Sequence, residues 1–550
     1  MKWSRENGRI LKMFARLKKK FGLGLAACAA AFSLTLATSE PVRAQITPFM
    51  SAVAESAATD DDVAAFYRAN GFKPIWTGQK PEDSKRLTAL FNALKKAGDH
   101  ALPPGNYDVD QLMASLRDIG TERDLGRLEV ALSRTFLRYA RDIHTGVLTP
   151  KKVDSGIVRD VPLRNRTELL QQIATSEPRA FLRTLPPKSP EYTRLMKAKI
   201  QLEEQLGRGG WGVQVPARAL KPGDSGNAVV LLRNRMIAMG YLRRSASSRY
   251  DAALQKAVQL YQFHNGLETD GVAGPGTMAE INKQIEDRLP NIIVAMERER
   301  WMNIPRGKRH VWVNLTDFTA ALMDNDHVTF KTRSVIGKNT LDRRSPEFSD
   351  VMEYMEINPY WNVPRSIAVN EYLPSMIASG GGAAGHLQLV DGRRRVVSRS
   401  AVNWGAVSVR NFPYDLRQAP SRSNALGLVK FMFPNRHNIY LHDTPAKSLF
   451  AREKRDFSHG CIRLNDPFDF AYALLAVQTD DPVEFFQSRL RSGENIQVPL
   501  ETPIPVHIVY RTAFTDAKGR LNFRRDVYGR DAKVFDALMA AGVMLGNYPS

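Results

Sequence analysis

Ser458-His459-Gly460-Cys461-Ile462-Arg463 is the stretch from which the rest of the chain can be read. Cys461 is one of two cysteines in 550 residues, and the other, Cys28, lies in an N-terminal segment with the character of an export signal. An exported protein that keeps a single thiol cannot close an internal disulfide, and an unpaired thiol outside the cytoplasm invites oxidation and mispairing. A lone cysteine set among histidines reads better as a nucleophile than as a structural residue.

The export reading rests on residues 1–44. They carry nine Lys/Arg and two acids, a net of +7. A basic stretch ends at Lys20, an apolar Ala/Leu-rich run follows from Phe21 to Thr38, and Val42-Arg43-Ala44 places small residues at −3 and −1 before Gln45. This is the layout of a cleaved secretory signal. Two other fates stay open: an uncleaved membrane anchor, since the run is at the lower edge of spanning length, and lipidation at Cys28 within Leu25-Ala26-Ala27-Cys28. Each puts the body of the chain outside the cytoplasm, in the periplasm, with membrane contact that is transient or made by the retained signal. Subtracting the leader's +7 from the chain's +21 leaves about +14. That excess favours an anionic partner such as cell-wall polymer or anionic lipid. No nucleic-acid motif is present.

The remaining length calls for several domains in a multidomain α+β chain. Residues 45–60 are small and polar and read as a linker. Residues 61–210 read as a helical scaffold domain: Leu87, Leu90, Phe91 and Leu94 recur at helical spacing, as Leu128, Val130, Leu132, Phe136 and Tyr139 do less strictly. Trp76 and the run Arg141-Asp142-Ile143-His144 read as packing and solvated surface. Residues 215–288 form a compact three-helix unit. Lys221-Pro222-Gly223-Asp224-Ser225-Gly226 turns into a helix bearing Val229, Leu232, Met236 and Met239. Asp251 caps a second helix with Leu254, Val258, Tyr261 and Phe263, and Asp270 to Thr277 turns into the third. This unit resembles the type 1 peptidoglycan-binding domain, with the aromatic-Gln pair of that pattern appearing as Tyr261-Gln262-Phe263.

From about 309 the period becomes strand-like. His310–Leu315, Val328–Phe330, Val335–Gly337, Tyr354–Ile357, Asn403–Val409 and Asn438–Leu441 read as strands, with Asp324-Asn325-Asp326 as a hairpin turn. The unit 309–490 is therefore mainly β. Residues 370–430 interrupt it as a loop-rich insertion with Gly380-Gly381-Gly382 and the basic run Arg393-Arg394-Arg395, in the manner of a lid. Residues 491–550 read as a C-terminal extension packing on the scaffold and catalytic parts.

A thiol needs help to ionise at neutral pH, and a neighbouring histidine supplies it by forming a thiolate–imidazolium pair. His437, His442 and His459 lie close in sequence. His459 is too near Cys461 to reach the sulfur without strain, whereas His442 ends the strand Ile439-Tyr440-Leu441 and can face the cysteine turn. Gly460 lets the backbone approach a substrate, and the N–H groups of Gly460 and Cys461 can face an oxyanion. Arg463 either binds a substrate carboxylate or holds the loop. Asn465-Asp466-Pro467 caps a helix over Phe468–Val477 that braces the turn. No cluster has metal-ligand spacing and no nucleotide fingerprint appears, so neither metal nor cofactor is expected.

Tyr440-Leu441-His442-Asp443-Thr444-Pro445 followed by Ser458 to Leu464 resembles the signature of the L,D-transpeptidase catalytic domain (YkuD type), whose fold is a β-sandwich. Pro346 to Ser349, Asn358 to Pro364, Ala425 to Phe431 and Asp526 to Asp531 are similar to its large periplasmic, YcbB-like branch. The resemblance implies Cys461 as the acylated nucleophile, His442 as proton acceptor and donor oriented by a backbone carbonyl, and Tyr440, Ser458, His459, Gly460 and Arg463 as residues of the oxyanion and substrate pocket. It implies a substrate-capping role for 370–430 and acylation of Cys461 by carbapenems. The implied reaction is a 3→3 crosslink between peptidoglycan stems, with an L,D-carboxypeptidase or a protein-attaching enzyme as alternatives and a non-catalytic wall-binding scaffold opposed by the intact Cys461 and His442. The implied partners are stem peptides and glycan, with a glycosyltransferase or carboxypeptidase alongside.

Overall fold

The computed structural model describes residues 46–545. The leader, with its three readings, and Cys28 lie outside the described residues. No helix among those described is long and apolar enough to cross a membrane.

Helices occupy residues 48–301. Thr121 opens the longest, Glu122–Thr145, through a capping box with Asp124. Leu128, Val130, Leu132, Phe136 and Tyr139 are all buried along it, as are Leu87, Leu90, Phe91 and Leu94 on Pro81–Lys95. Trp76 packs in the same core, its indole N–H donating to Ser133 Oγ at 2.9 Å. The expected linker at 45–60 is not a linker. Pro48–Ala57 is a helix that buries Ala52, Val53 and Ala57. Its small residues serve close packing: a Cβ at Gly126 would meet the Phe49 carbonyl at 2.6 Å and the Ala52 methyl at 2.8 Å.

The compact unit folds around Val229, Leu232, Met236, Leu254, Val258 and Tyr261. Phe263 departs from expectation, standing 61% exposed on the outer face of its helix. A helix over Ile285–Trp301, almost wholly buried, then carries the chain into the β half.

That half is mainly β. Its strands are β1 (Arg309–Asn314), β2 (Thr319–Asp324), β3 (His327–Gly337), β4 (Phe348–Ile357), β5 (Trp361–Asn362), β6 (Gln388–Val390), β7 (Val396–Val397), β8 (Asp415–Gln418), β9 (Val429–Met432), β10 (Leu441–His442), β11 (Asp456–Ser458), β12 (Ile462–Leu464), β13 (Ile496–Val509), β14 (Ala513–Thr515) and β15 (Leu521–Phe523). Nine of them form one sheet in the order β11-β3-β12-β10-β9-β4-β13-β1-β2, and β2 also pairs with β3. The expected sandwich is thus realised as a sheet bent back on itself around a single apolar core. The turn at Asp324-Asn325-Asp326 lies as expected, with Asn325 and Asp326 both at positive φ, but it joins β3 to β2, a strand not foreseen in the sequence, which also pairs with β1.

Two boundaries differ from the sequence reading. β13 belongs to the middle of the sheet, parallel to β1 and antiparallel to β4, so the β unit runs past 490 and residues 496–509 are no extension. The stretch Asn403–Val409 is not a strand: Asn403 Oδ1 accepts from Gly405 N–H and Asn411 Oδ1 from Ser408 N–H, bending it into turns. It lies in a cap that is more ordered than a loop-rich insertion. β5, β8, β6 and β7 form a small second sheet over a core of Trp361, Leu373, Met376, Leu389, Trp404 and Leu416.

Candidate functional site

The site is built by alternation on three short strands. β10 lies parallel to β12, with Leu441 opposite Ile462 and His442 opposite Arg463. It lies antiparallel to β9, with His442 opposite Lys430. Side chains two apart share a face. Leu441, Ile462 and Leu464 therefore go to the apolar core. Lys430, Tyr440, His442, Cys461 and Arg463 face the other way and line one cavity of about 860 Å³. The cap closes its far side through Tyr360, Trp361, Asn370, Glu371, Arg394 and Arg417.

The turn that presents the sulfur is held from inside. Gly460 sits at φ +118°, a backbone state that L side chains rarely adopt. Ser458 Oγ accepts from the Gly460 N–H at 3.1 Å and donates to the Cys461 carbonyl at 2.5 Å. The Gly460 carbonyl accepts from Ser345 Oγ at 2.6 Å. Ser458 is thus a brace of the turn. The Gly460 N–H, expected to face an oxyanion, is engaged by that brace, leaving the Cys461 N–H and the Tyr440 hydroxyl as donors beside the sulfur. The helix that follows, Pro467–Leu475, packs Phe470 and Leu474 beneath. Asp466 does not cap it with its side chain, because that carboxylate accepts from Thr332 Oγ1 at 2.7 Å.

His442 is buried, and its Nδ1 lies 2.5 Å from the Asp443 carbonyl. A carbonyl only accepts, so Nδ1 carries the proton and Nε2 keeps a free lone pair. Asp443 is fixed in turn: its carboxylate accepts from Leu428 N–H at 2.9 Å and from Lys447 Nζ at 2.8 Å. Gly427, at φ +64°, leaves it room, since a Cβ there would run into the Asp443 side chain.

The charge state differs from the expected ion pair. Cys461 as a residue is part-buried, but its sulfur lies against Asn438, whose carbonyl is 3.4 Å away, and against Tyr440. Burial pushes its thiol up to about 11, with hydrogen bonds from Tyr440 pulling only partly back. Burial, with the Arg463 cation beside it, holds the His442 imidazole down at about 3. Desolvation disfavours both charged forms, so the thiol and the imidazole that line this cavity both rest neutral.

Arg463 is half-buried, its Nε buried without a partner, and no carboxylate among the described residues pairs with it. Lys430, by contrast, is neutralised by Glu356 at 2.9 Å. His459 stands at the rim. Its Nε2 is 2.7 Å from Glu371 Oε1, and the same oxygen takes Arg343 Nη2 at 2.6 Å. This clasp joins the cap to the cysteine turn, and Glu371 and Arg343 carried no sequence signal that could have found them. His437 also borders the cavity, its ring 5.2 Å from Phe348.

Comparison with known proteins follows the same division. Residues 61–198 match a scaffold domain, residues 225–281 a peptidoglycan binding domain, and residues 308–485 an L,D-transpeptidase catalytic domain. A Haemophilus influenzae protein named "Putative L,D-transpeptidase" is 29% identical over 246 residues, 44% of this chain. The chain spans about half the length of that relative, 48%. A solved L,D-transpeptidase from Xylanimonas cellulosilytica is similar at 13% identity over 53% of this chain and 98% of its own, with a TM-score of 0.17 that carries no argument for the fold.

Proposed function

From the premise that residues 308–485 are an L,D-transpeptidase catalytic domain, which makes the chain an enzyme of the family's type, we propose that it forms 3→3 crosslinks in peptidoglycan through a thioester on Cys461. One observation carries the reading: His442 and Arg463 on adjacent strands, and Cys461 on the turn entering β12, line one capped cavity.

Cys461 Sγ attacks the carbonyl at the L centre of the diamino acid in a donor tetrapeptide. The carbon–sulfur bond forms, the thiol proton passes to His442 Nε2, and the carbonyl oxygen turns to the Cys461 N–H and the Tyr440 hydroxyl. The amide carbon–nitrogen bond breaks, and His442 returns the proton to the departing D-Ala amine. Arg463, a half-buried cation without a protein anion, takes the D-Ala carboxylate. A side-chain amine of a second stem then attacks the thioester, giving the crosslink and restoring the thiol. Water in its place makes the chain a carboxypeptidase, and a protein amine makes it an attaching enzyme.

The excess positive charge and the peptidoglycan binding domain support action in the periplasm, against the wall, beside glycosyltransferases or carboxypeptidases that handle the same strands. The test is incubation of the purified chain with disaccharide-tetrapeptides, with and without a carbapenem, read by mass spectrometry. Dimers that vanish in Cys461→Ala, together with a carbapenem adduct on Cys461, are expected. Dimers that persist in Cys461→Ala overturn the reading, and trimmed monomers without dimers replace transfer with hydrolysis.

A further inference from the structure

The small helical domain must meet its ligand somewhere, and its most motif-like polar residue is already occupied. Gln262 is buried, with Nε2 donating to Asp270 Oδ1 at 2.7 Å, the Val272 carbonyl at 3.0 Å and Thr277 Oγ1 at 3.1 Å. Its Oε1 accepts from Gly271 N–H at 2.9 Å. The amide is spent holding the turn into Pro275–Ile281. Arg235 is likewise consumed, donating to the carbonyls of Gly212, Ile281 and Lys283. These two residues build the domain and have nothing left for a ligand.

Open chemistry lies where the domain meets two other elements, the helix Pro190–Leu206 and the β14–β15 hairpin. Between the three is a cleft of about 500 Å³. Trp211 and Tyr241 supply aromatic surface, Gln201 an exposed amide, and Arg208 and Arg520 two guanidiniums. Among the described residues neither of these guanidiniums is paired with a carboxylate, Asp516 taking only the backbone N–H of Arg520 at 2.8 Å. Arg520 instead lies 5.8 Å from the Tyr241 ring centroid. The third arginine of the lining, Arg288, is neutralised by Glu280 at 2.9 Å, and Glu204 is the single acid. Aromatic walls with a few convergent polar groups are the make-up of small-ligand sites, and unpaired guanidiniums match carboxylates.

We propose that this cleft is a peptidoglycan subsite separate from the thiol. A sugar ring lies on Trp211 and Tyr241, and stem-peptide carboxylates meet Arg208 and Arg520. The subsite needs all three elements at once, so it exists only in the assembled chain, where it holds a strand of wall while the cavity under the cap turns over. The proposal rests on the reading of the chain as a wall enzyme, and its test keeps the two apart.

The full chain carrying Cys461→Ala, which cannot turn over, is sedimented with purified sacculi. Adding Trp211→Ala, Arg208→Ala and Arg520→Ala lowers retention at least tenfold, and the milder pair Trp211→Phe with Arg520→Gln lowers it severalfold with unchanged circular dichroism. With Cys461 intact, the same cleft variants release D-Ala from soluble disaccharide-tetrapeptide within twofold of the parent. Unchanged retention overturns the subsite. So does retention that phosphatidylglycerol vesicles compete away as well as muropeptide does, which makes the cleft a site for anionic lipid surface. A parent chain that releases no D-Ala defeats the catalytic reading alone, because the retention measurement is read independently.

Discussion

Two buried polar regions of this molecule are built on opposite terms. Around the helix Ile285–Trp301 most buried charges are answered by an opposite charge, Arg159 being held instead by Ser349 Oγ and the Ile508 carbonyl. Arg298 binds Glu347 and Asp531, Arg530 reaches Glu347 at 3.3 Å, Arg300 meets Glu297 at 2.7 Å, and Glu299 takes Arg306 and Arg511 at 2.9 and 2.8 Å. In the cavity beneath the cap, Arg463 has no anion, the thiol is held neutral by burial, and the imidazole is neutral beside it. The first region spends its charges on joining helical and β parts. The second leaves them unpaired, the arrangement that the proposed reaction would use for a substrate carboxylate and a transferred proton.

The sharpest way to break this comparison is to remove the sulfur. Cys461→Ala is expected to abolish acyl-enzyme formation, seen as the loss of any donor adduct in intact mass, while leaving the denaturation midpoint within about 0.5 kcal/mol of the parent. His442→Gln should lower the acylation rate about 10³-fold, the span of a lost general base. On the other side, Glu347→Gln leaves Arg298 with Asp531 alone and Arg530 with Asp154 at 3.6 Å, and should cost about 3 kcal/mol by urea unfolding, with no residue of the cavity touched.

The neutral pair has its own signature. Alkylation of Cys461 by iodoacetamide should rise about tenfold per pH unit from 7 towards 11, because the thiolate is populated only near its raised pKa. A plateau already present at pH 6 would mean a preformed ion pair. Stability carries the opposite sign at low pH. The His442 pKa is below its unfolded value, so unfolded chains bind the extra proton between about 6.5 and 3, and stability falls as pH drops through that window, by up to about 1.4 kcal/mol per unit. The smallest effect belongs to the clasp: Glu371→Gln should change soluble-substrate kcat by only a few-fold, read in steady-state release of D-Ala, because the pair it breaks is half exposed.

How far the sequence could be read follows from how local each signal is. Cys461 and His442 lie nineteen residues apart, the one on the turn into β12 and the other on neighbouring β10, within a span that a short motif covers. Glu371 reaches His459 from 88 positions away, through a cap whose fold no nearby pattern announces. β13 was hidden by Pro499, Pro503 and Pro505, which argue against a central strand. Two of these, Pro499 and Pro505, sit in register with β4 on either side of an irregularity between Pro499 and Ile504. The helix Pro48–Ala57 was hidden by its small residues, which read as loop in one dimension and as close packing on Gly126 in three. Asn403–Val409 shows the converse: alternation over a few residues is no strand when side chains such as Asn403 and Asn411 bond their own turns.

The central position of β13 also sets when the catalyst can exist. Chain emerging N-terminus first exposes the thiol and its histidine well before residues 496–509 arrive, yet β4 and β1 have no bridge until then. Maturation therefore waits on a strand that follows both Cys461 and His442 in the chain. A product truncated ahead of Ile496 would retain both reactive side chains and remain inert.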